Sequence, residues 1–331
     1  DDSGRELLTV GALSQEALPI DDHAPLDASQ QIEALTNDWR APLHDVSIAT
    51  KEQLLRPLLD SYKLNPTHLT NFLDTTRGGP ELFLLHNLLR FPQASSPSAA
   101  YGSAIHAALQ RAHAHLTATG KRRPIEDVLH DFEELLRDRQ MGEDDFIKHL
   151  SRGSDALTTF LAQRYESFTP TQSVERSFST ESIRCGEAYI TGIIDLIDID
   201  KDAKTIFITD YKTGRAISLW RGRSEFEKIK LHHYEQQLLF YRLLIENSRQ
   251  FTGYKVVGAR IEFVEPDENG RIVLLDYDYD NSHMNDFVDL INAVWQRIQT
   301  LDLSYGKTYQ PTLLGIKAFE KAISTAAEKK E

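Results

Sequence analysis

Two carboxylates and an ammonium interrupt the apolar runs of this sequence at positions where they can act together. Asp195 ends the run Gly192-Ile-Ile-Asp195, and Asp210-Tyr-Lys212 closes a second run that begins at Thr205-Ile-Phe-Ile. Side chains two apart on a strand share a face, so Asp210 and Lys212 project together. Charged groups at the end of a buried strand are costly unless they bind something. Two carboxylates and an ammonium suit a divalent cation, a water and a phosphate, which is the chemistry of phosphodiester hydrolysis. The plainer alternative is a β-hairpin with a surface Asp–Lys pair, Asp198 to Lys204 forming its loop.

The surrounding residues favour the chemical reading. Thr213-Gly-Arg215 follows the lysine directly. Gln237 and Tyr241 stand four apart in a helical segment rich in Leu, Phe and Tyr, 225–247, and so share one helix face. Upstream lie Tyr101-Gly-Ser-Ala-Ile-His106 and Val174-Glu175-Arg-Ser-Phe178, and earlier still Asn65-Pro-Thr-His-Leu-Thr-Asn-Phe72 and Gly78-Gly-Pro-Glu-Leu-Phe83.

Taken as an ordered set over roughly residues 62–303, these segments resemble the PD-(D/E)XK nuclease superfamily. The similarity is to its RecB/AddB-like branch, as found at the C-terminus of UvrD-like superfamily 1 helicases. The resemblance implies an α/β, restriction-endonuclease-like core: a central mixed β-sheet flanked by helices, with a helical N-terminal extension. It implies Asp195, Asp210, Lys212, Gln237 and Tyr241 as catalytic residues. It implies Mg²⁺ or Mn²⁺ held by His106, Asp195, Asp210 and the backbone carbonyl of Tyr211, with Glu175 as a further candidate ligand. DNA, as single strands or duplex ends, is the implied substrate, with a helicase domain or subunit as partner in cis or in trans. One departure is plain. Some relatives hold an iron–sulfur cluster with four cysteines, whereas this chain has a single cysteine, Cys185, and the corresponding stretch reads Asp74-Thr-Thr-Arg77. A cluster needs four thiolates, so none is expected.

The 331 residues, 40% of them hydrophobic, can bury a sizeable core. One cysteine excludes an internal disulfide and fits a reducing compartment. No membrane span or basic-then-apolar leader is legible, so a cytoplasmic location is expected. The net charge of −13 is poor for approaching a polyanion, but the charge is unevenly placed. Residues 1–60 and 124–146 are acidic. Arg215, Arg221, Arg223 and Lys228 cluster just after the Asp-Tyr-Lys strand and are the expected DNA contacts.

The elements that must position these groups follow from periodicity. Helical patterns cover 66–91, broken at Gly78-Gly-Pro80, then 102–119, 125–138 and 143–167. Strand patterns cover 173–180, 187–200 and 204–212, then, after the Gln237/Tyr241 helix, 254–264 and 271–279. A closing amphipathic helix carries Met284, Phe287, Ile291, Val294 and Ile298. The expected division is 1–60, an acidic linker or remnant of a preceding helicase domain; 61–305, the nuclease domain; and 306–331, a helical tail. Gly306-Lys-Thr308 ends like a phosphate-binding loop but lacks the glycine five residues earlier, where Leu301 stands, so no nucleotide site is expected. His113 and His115 read as surface histidines. Trp220 could stack a base or serve as a core or hinge residue. The resulting expectation is a metal-dependent deoxyribonuclease, acting as an exonuclease within a helicase–nuclease. A catalytically silent scaffold or DNA clamp is the alternative, and RNA remains open as substrate.

Overall fold

The structure, a computed structural model, describes residues 48–93, 96–303 and 309–328. The chain divides into two compact units, Asp1–Arg56 and Pro57–Glu331. All but the start of helix α1 (Ile48–Asp60) among the described residues belongs to the second. Most of the acidic segment 1–60 thus lies outside the described residues.

The second unit is built on a mixed five-stranded sheet in the order β1 (Ser173–Ser177), β4 (Ile193–Asp200), β5 (Thr205–Lys212), β6 (Lys255–Phe263), β7 (Leu274–Tyr277). β4 and β5 form an antiparallel hairpin, with Asp200 opposite Thr205 and Leu196 opposite Thr209. Parallel strands need a crossover, and helix α7 (Glu225–Glu246) carries the chain from β5 to the parallel neighbour β6. A capping box starts α7: Ser224 and Glu227 each bond the other's backbone N–H. β5 is buried along most of its length because helices cover both faces of the sheet. Ile206, Ile208, Ile194, Ile197, Ala259 and Ile261 are all fully buried.

On one side lies α7, backed by α2 (Pro66–Leu73), α8 (Asn281–Gln299) and α9 (Leu313–Glu328). On the other, α4 (Pro97–Thr119), α5 (Ile125–Arg137) and α6 (Glu143–Arg164) form a layer with its own core. There Tyr101, Ile105, Leu109, Phe132 and Phe160 pack with Leu196 and Tyr211 from the sheet and with Val264 just past β6. The short α3 (Gly79–Phe83) begins after Gly78, whose φ of 119° suits only glycine. A mixed α/β sheet flanked by helices is therefore the observed fold, as the sequence implied. No helix among the described residues is long and apolar enough to cross a membrane.

Two strand expectations need correction. The run 187–200 is not one strand: it breaks at Thr191-Gly192 into β3 (Ala188–Ile190) and β4, and β3 pairs instead with β2 (Ile183–Cys185) in a separate hairpin. The break has local causes. Thr191 N–H bonds to Leu64 O at 2.8 Å, and a Cβ on Gly192 would stand 2.8 Å from Leu244 Cδ1. The run 271–279 contracts to the four residues of β7. Cys185, in β2, is buried, which pushes its thiol pKa up to about 11.

Candidate active site

Strand register brings three carboxylates into one row. β1 and β4 pair Val174 with Leu196 and Arg176 with Ile194, which sets Glu175 across from Asp195. The β4–β5 ladder ends at Leu196 opposite Thr209, and one further step sets Asp195 across from Asp210. The strands part at that step. The N–H of Tyr211, which a ladder partner would otherwise take, donates to Asp195 Oδ2 at 2.9 Å. N–H and C=O of one strand residue leave on the same side, so the Tyr211 carbonyl is directed toward the same gap. Glu175 itself has φ 45°, a left-handed backbone uncommon for a residue with a side chain.

Helix α4 adds an imidazole. His106 Nδ1 lies 3.4 Å from Asp195 Oδ2. Gly102, four residues earlier, lets this helix come close to the segment after β5: a Cβ there would stand 3.1 Å from Thr213 Oγ1. His106, Glu175 and Asp195 each offer one ligand atom, all within 4.8 Å of one another. One imidazole nitrogen and two carboxylate oxygens make a hard donor set that fits a divalent cation.

The electrostatics agree with that fit. Burial, together with the charges of Asp195 and Asp210, raises the pKa of Glu175. Burial also works against ionisation of Asp195, but the His106 hydrogen bond, the charges of His106 and Lys212 and the Tyr211 N–H outweigh it, so its pKa is lowered. For His106 the order is similar. Burial opposes its charge, and Asp195 and Asp210 prevail to raise its pKa.

Asp210 faces a different set of groups. Its Oδ2 forms an ion pair with Lys212 Nζ at 2.6 Å. Lys212 donates to Gln237 Oε1 at 2.8 Å, Gln237 Nε2 donates to the Tyr241 hydroxyl at 2.6 Å, and that hydroxyl donates to Asp210 Oδ1 at 3.2 Å. The four side chains close a ring in which each donor feeds the next toward one carboxylate. Burial still raises the Asp210 pKa, and the Asp195 charge adds to it against Lys212. Asp210 is thus held by the ring and stands outside the His106–Glu175–Asp195 trio.

Other expected residues fall nearby. Arg215, Arg221 and Arg223 line a cleft of about 240 Å³ whose other wall is Pro266 to Asn269, and Arg215 reaches Glu268 at 3.4 Å. Lys228 pairs with Glu225 at 3.3 Å and lines an adjoining cleft with Trp220. Trp220 is anchored: its Nε1 donates to Asp276 O at 2.6 Å and its ring packs edge-on to Tyr277. His113 is not a surface residue. It is buried, stacked on Phe168 at 3.6 Å and hydrogen-bonded to the Tyr211 hydroxyl at 3.1 Å, and burial pulls its pKa down to about 3.

Sequence reasoning missed Glu265. Its carboxylate accepts from Gly214 N–H at 2.6 Å and the Tyr101 hydroxyl at 3.2 Å, and it pairs with Arg152 at 2.8 Å. It thereby ties α4, α6 and the turn after Lys212 together. A carboxylate just past an apolar strand was the available signal, but nothing in the sequence reveals three distant partners.

The search of curated proteins gave no match. A family model does match, that of the PD-(D/E)XK nuclease superfamily, over residues 63–308, a span that contains every site residue named above. That span is well over half the chain and runs from the start of α2's capping segment to beyond α8, so this chain belongs to the PD-(D/E)XK nuclease superfamily.

Proposed function

We propose that the chain is a Mg²⁺- or Mn²⁺-dependent deoxyribonuclease of the RecB/AddB-like branch, cutting single strands or duplex ends as an exonuclease. The observation that carries this reading is the meeting of two constellations where β4 and β5 part. One is the His106–Glu175–Asp195 trio; the other is the Asp210–Lys212–Gln237–Tyr241 ring.

His106, Glu175 and Asp195 would hold the cation, with Asp210 and the Tyr211 carbonyl beside them. When bound, such a cation supplies Lewis acidity, activating a water and offsetting charge on the phosphate. Lys212, as an ammonium, then orients the water and stabilises negative charge that develops on the phosphate oxygens. Gln237 accepts one Lys212 N–H and so fixes the ammonium. Tyr241 donates to Asp210 and steadies its ionised form. Hydrogen bonds chained in one direction polarise one another, which favours the charge-separated Lys212–Asp210 pair. Arg215, Arg221, Arg223 and Lys228 would grip the backbone beyond the scissile bond.

The likeness to domains that end superfamily 1 helicases supports a place in a helicase–nuclease for recombination, repair or defence. In that arrangement residues 1–60 connect to the motor, 61–305 are the nuclease and 306–331 a tail. The test is incubation of the chain with end-labelled single- and double-stranded DNA, and RNA, in Mn²⁺. Metal-dependent shortening of DNA strands, lost in excess EDTA and at least about a hundredfold weaker in Asp210→Asn and Lys212→Ala, is expected. Binding without cutting by the wild type would make the chain a silent clamp instead.

A further inference from the structure

Helix α7 carries more of the site than Gln237 and Tyr241. Residues 230, 234, 237 and 241 recur at the spacing of one helix face. Tyr241 meets Asp210 and Gln237 meets Lys212. One turn earlier, the Tyr234 ring lies 5.1 Å from Lys212 Nζ. Lys230, one turn earlier again, brings its own Nζ to 5.5 Å from that ring and 6.0 Å from the ring of Phe263. Two ammonium groups therefore share one aromatic ring.

They differ in one respect. Lys212 has Asp210 and Gln237, whereas Lys230, half-buried, has no hydrogen-bond or ion-pair partner among the described residues. The carboxylates that act on it from a distance are engaged elsewhere: Glu227 accepts from the backbone of Arg223 and Ser224, and Glu265 is taken by Arg152, Tyr101 and Gly214. Burial, and then the charge of Lys212, lower the Lys230 pKa. An aromatic face returns only about 0.5–2 kcal/mol to a cation drawn out of water. An ammonium kept beside a second ammonium with no carboxylate in contact is stabilised once an anion arrives.

We infer that Lys230, seated on Tyr234 and Phe263, is a second backbone-phosphate site, which takes the phosphate next to the one at Lys212 on the same substrate strand. The inference rests on the nuclease reading above, since it is that reading which sets the scissile phosphate at Lys212. It also gives the strand a path. Glu227, on the same helix, lines the cleft of Arg215, Arg221 and Arg223, so a strand leaving Lys230 meets those arginines next.

The experiment is fluorescence anisotropy of a labelled single-stranded oligodeoxynucleotide on the full chain in EDTA, across a salt series, so that no cleavage is involved. Loss of one phosphate contact should weaken binding about tenfold in Lys230→Met and flatten the slope of log K against log salt by about 0.7. Lys201→Met, in the exposed β4–β5 turn, controls for a bare loss of charge and should leave the slope within error of wild type. Lys230→Gln replaces Lys230→Met if the latter melts early, and the same flattening is expected of it. An unchanged slope in a folded Lys230 variant, or an equal loss in Lys201→Met, overturns the inference. The nuclease reading fails separately. Wild-type chain that binds with a Lys230-dependent slope but never cuts in Mn²⁺ keeps the phosphate site and removes the enzyme, whereas cutting with an unchanged slope does the reverse.

Discussion

Asp195 and Asp210 are the same residue type on neighbouring strands, yet their surroundings push their proton affinities apart. Burial works on both, and the difference comes from the neighbours: an imidazole and a backbone N–H hold Asp195 down, while at Asp210 burial and the Asp195 charge prevail over the Lys212 ammonium. His106 takes the consequence. Its raised pKa means that, without a cation, the protonated imidazole stabilises the fold fully below the unfolded value near 6.5, and that this contribution is lost as pH rises through the higher folded value. A histidine must be neutral to ligate, so cation binding near neutral pH should expel a proton and tighten as pH rises. Calorimetric titration with Mn²⁺ in two buffers of different ionisation enthalpy should give different apparent heats, and the difference should vanish in His106→Asn. Identical heats for the wild type would remove His106 from the ligand set. Turnover separates the two constellations further. His106→Ala should shift the Mn²⁺ dependence to higher concentration, while Gln237→Ala should lower turnover even at saturating metal. Superimposable metal titrations for wild type and His106→Ala would return the histidine to a packing role.

At the scale of elements, β1 shows a local cost accepted at the site. Glu175 sits at φ 45° in the middle of a strand whose pairing to β4 keeps one register on either side. A left-handed conformation costs a residue with a Cβ about 1 kcal/mol, and glycine escapes it. Glu175→Gly should therefore be more stable than Glu175→Ala by about 1 kcal/mol in denaturant unfolding, although both lack the carboxylate. Equal stabilities would mean that the backbone relaxes once the carboxylate is gone. The pattern of apolar and charged residues made β5, β4 and α7 legible, because a buried strand and an amphipathic helix each impose a period on the sequence. The same reading brought out Asp195, Asp210, Lys212, Gln237 and Tyr241, which project from those periodic elements. It was blind where the cause is tertiary. The break at Gly192 depends on Leu64 and Leu244, far away in sequence. The burial of His113 depends on Phe168 and Tyr211, and the position of Glu265 on Tyr101, Arg152 and Gly214. No local spacing encodes such partners.

For the whole molecule, the balance between a charge of −13 and the few cations beside the site governs how the chain meets a polyanion. Net repulsion acts at long range and is screened within about 8 Å at physiological salt, so affinity has to come from the few cations that touch phosphate. Arg215, Arg221, Arg223 and Lys228 would neutralise four phosphates, which on a single strand corresponds to a slope of log K against log salt of about −3. Lys230 would steepen it by one further contact. Affinity should therefore be modest and fall steeply between low and physiological salt, and digestion should be distributive, the strand leaving after few cuts. The sequence holds no complete phosphate-binding loop; its nearest approach, Gly306-Lys-Thr308, lies outside the described residues and lacks the upstream glycine. ATP should accordingly change neither the rate nor the product length when the chain digests frayed or blunt duplex in Mn²⁺. Processive degradation of long duplex should appear only when a helicase is supplied. A gel time course of end-labelled blunt duplex, with and without ATP, measures both quantities. ATP-stimulated shortening by this chain alone, or a salt slope far steeper than −3, would mean that the motor or the main nucleic-acid surface lies elsewhere in the chain.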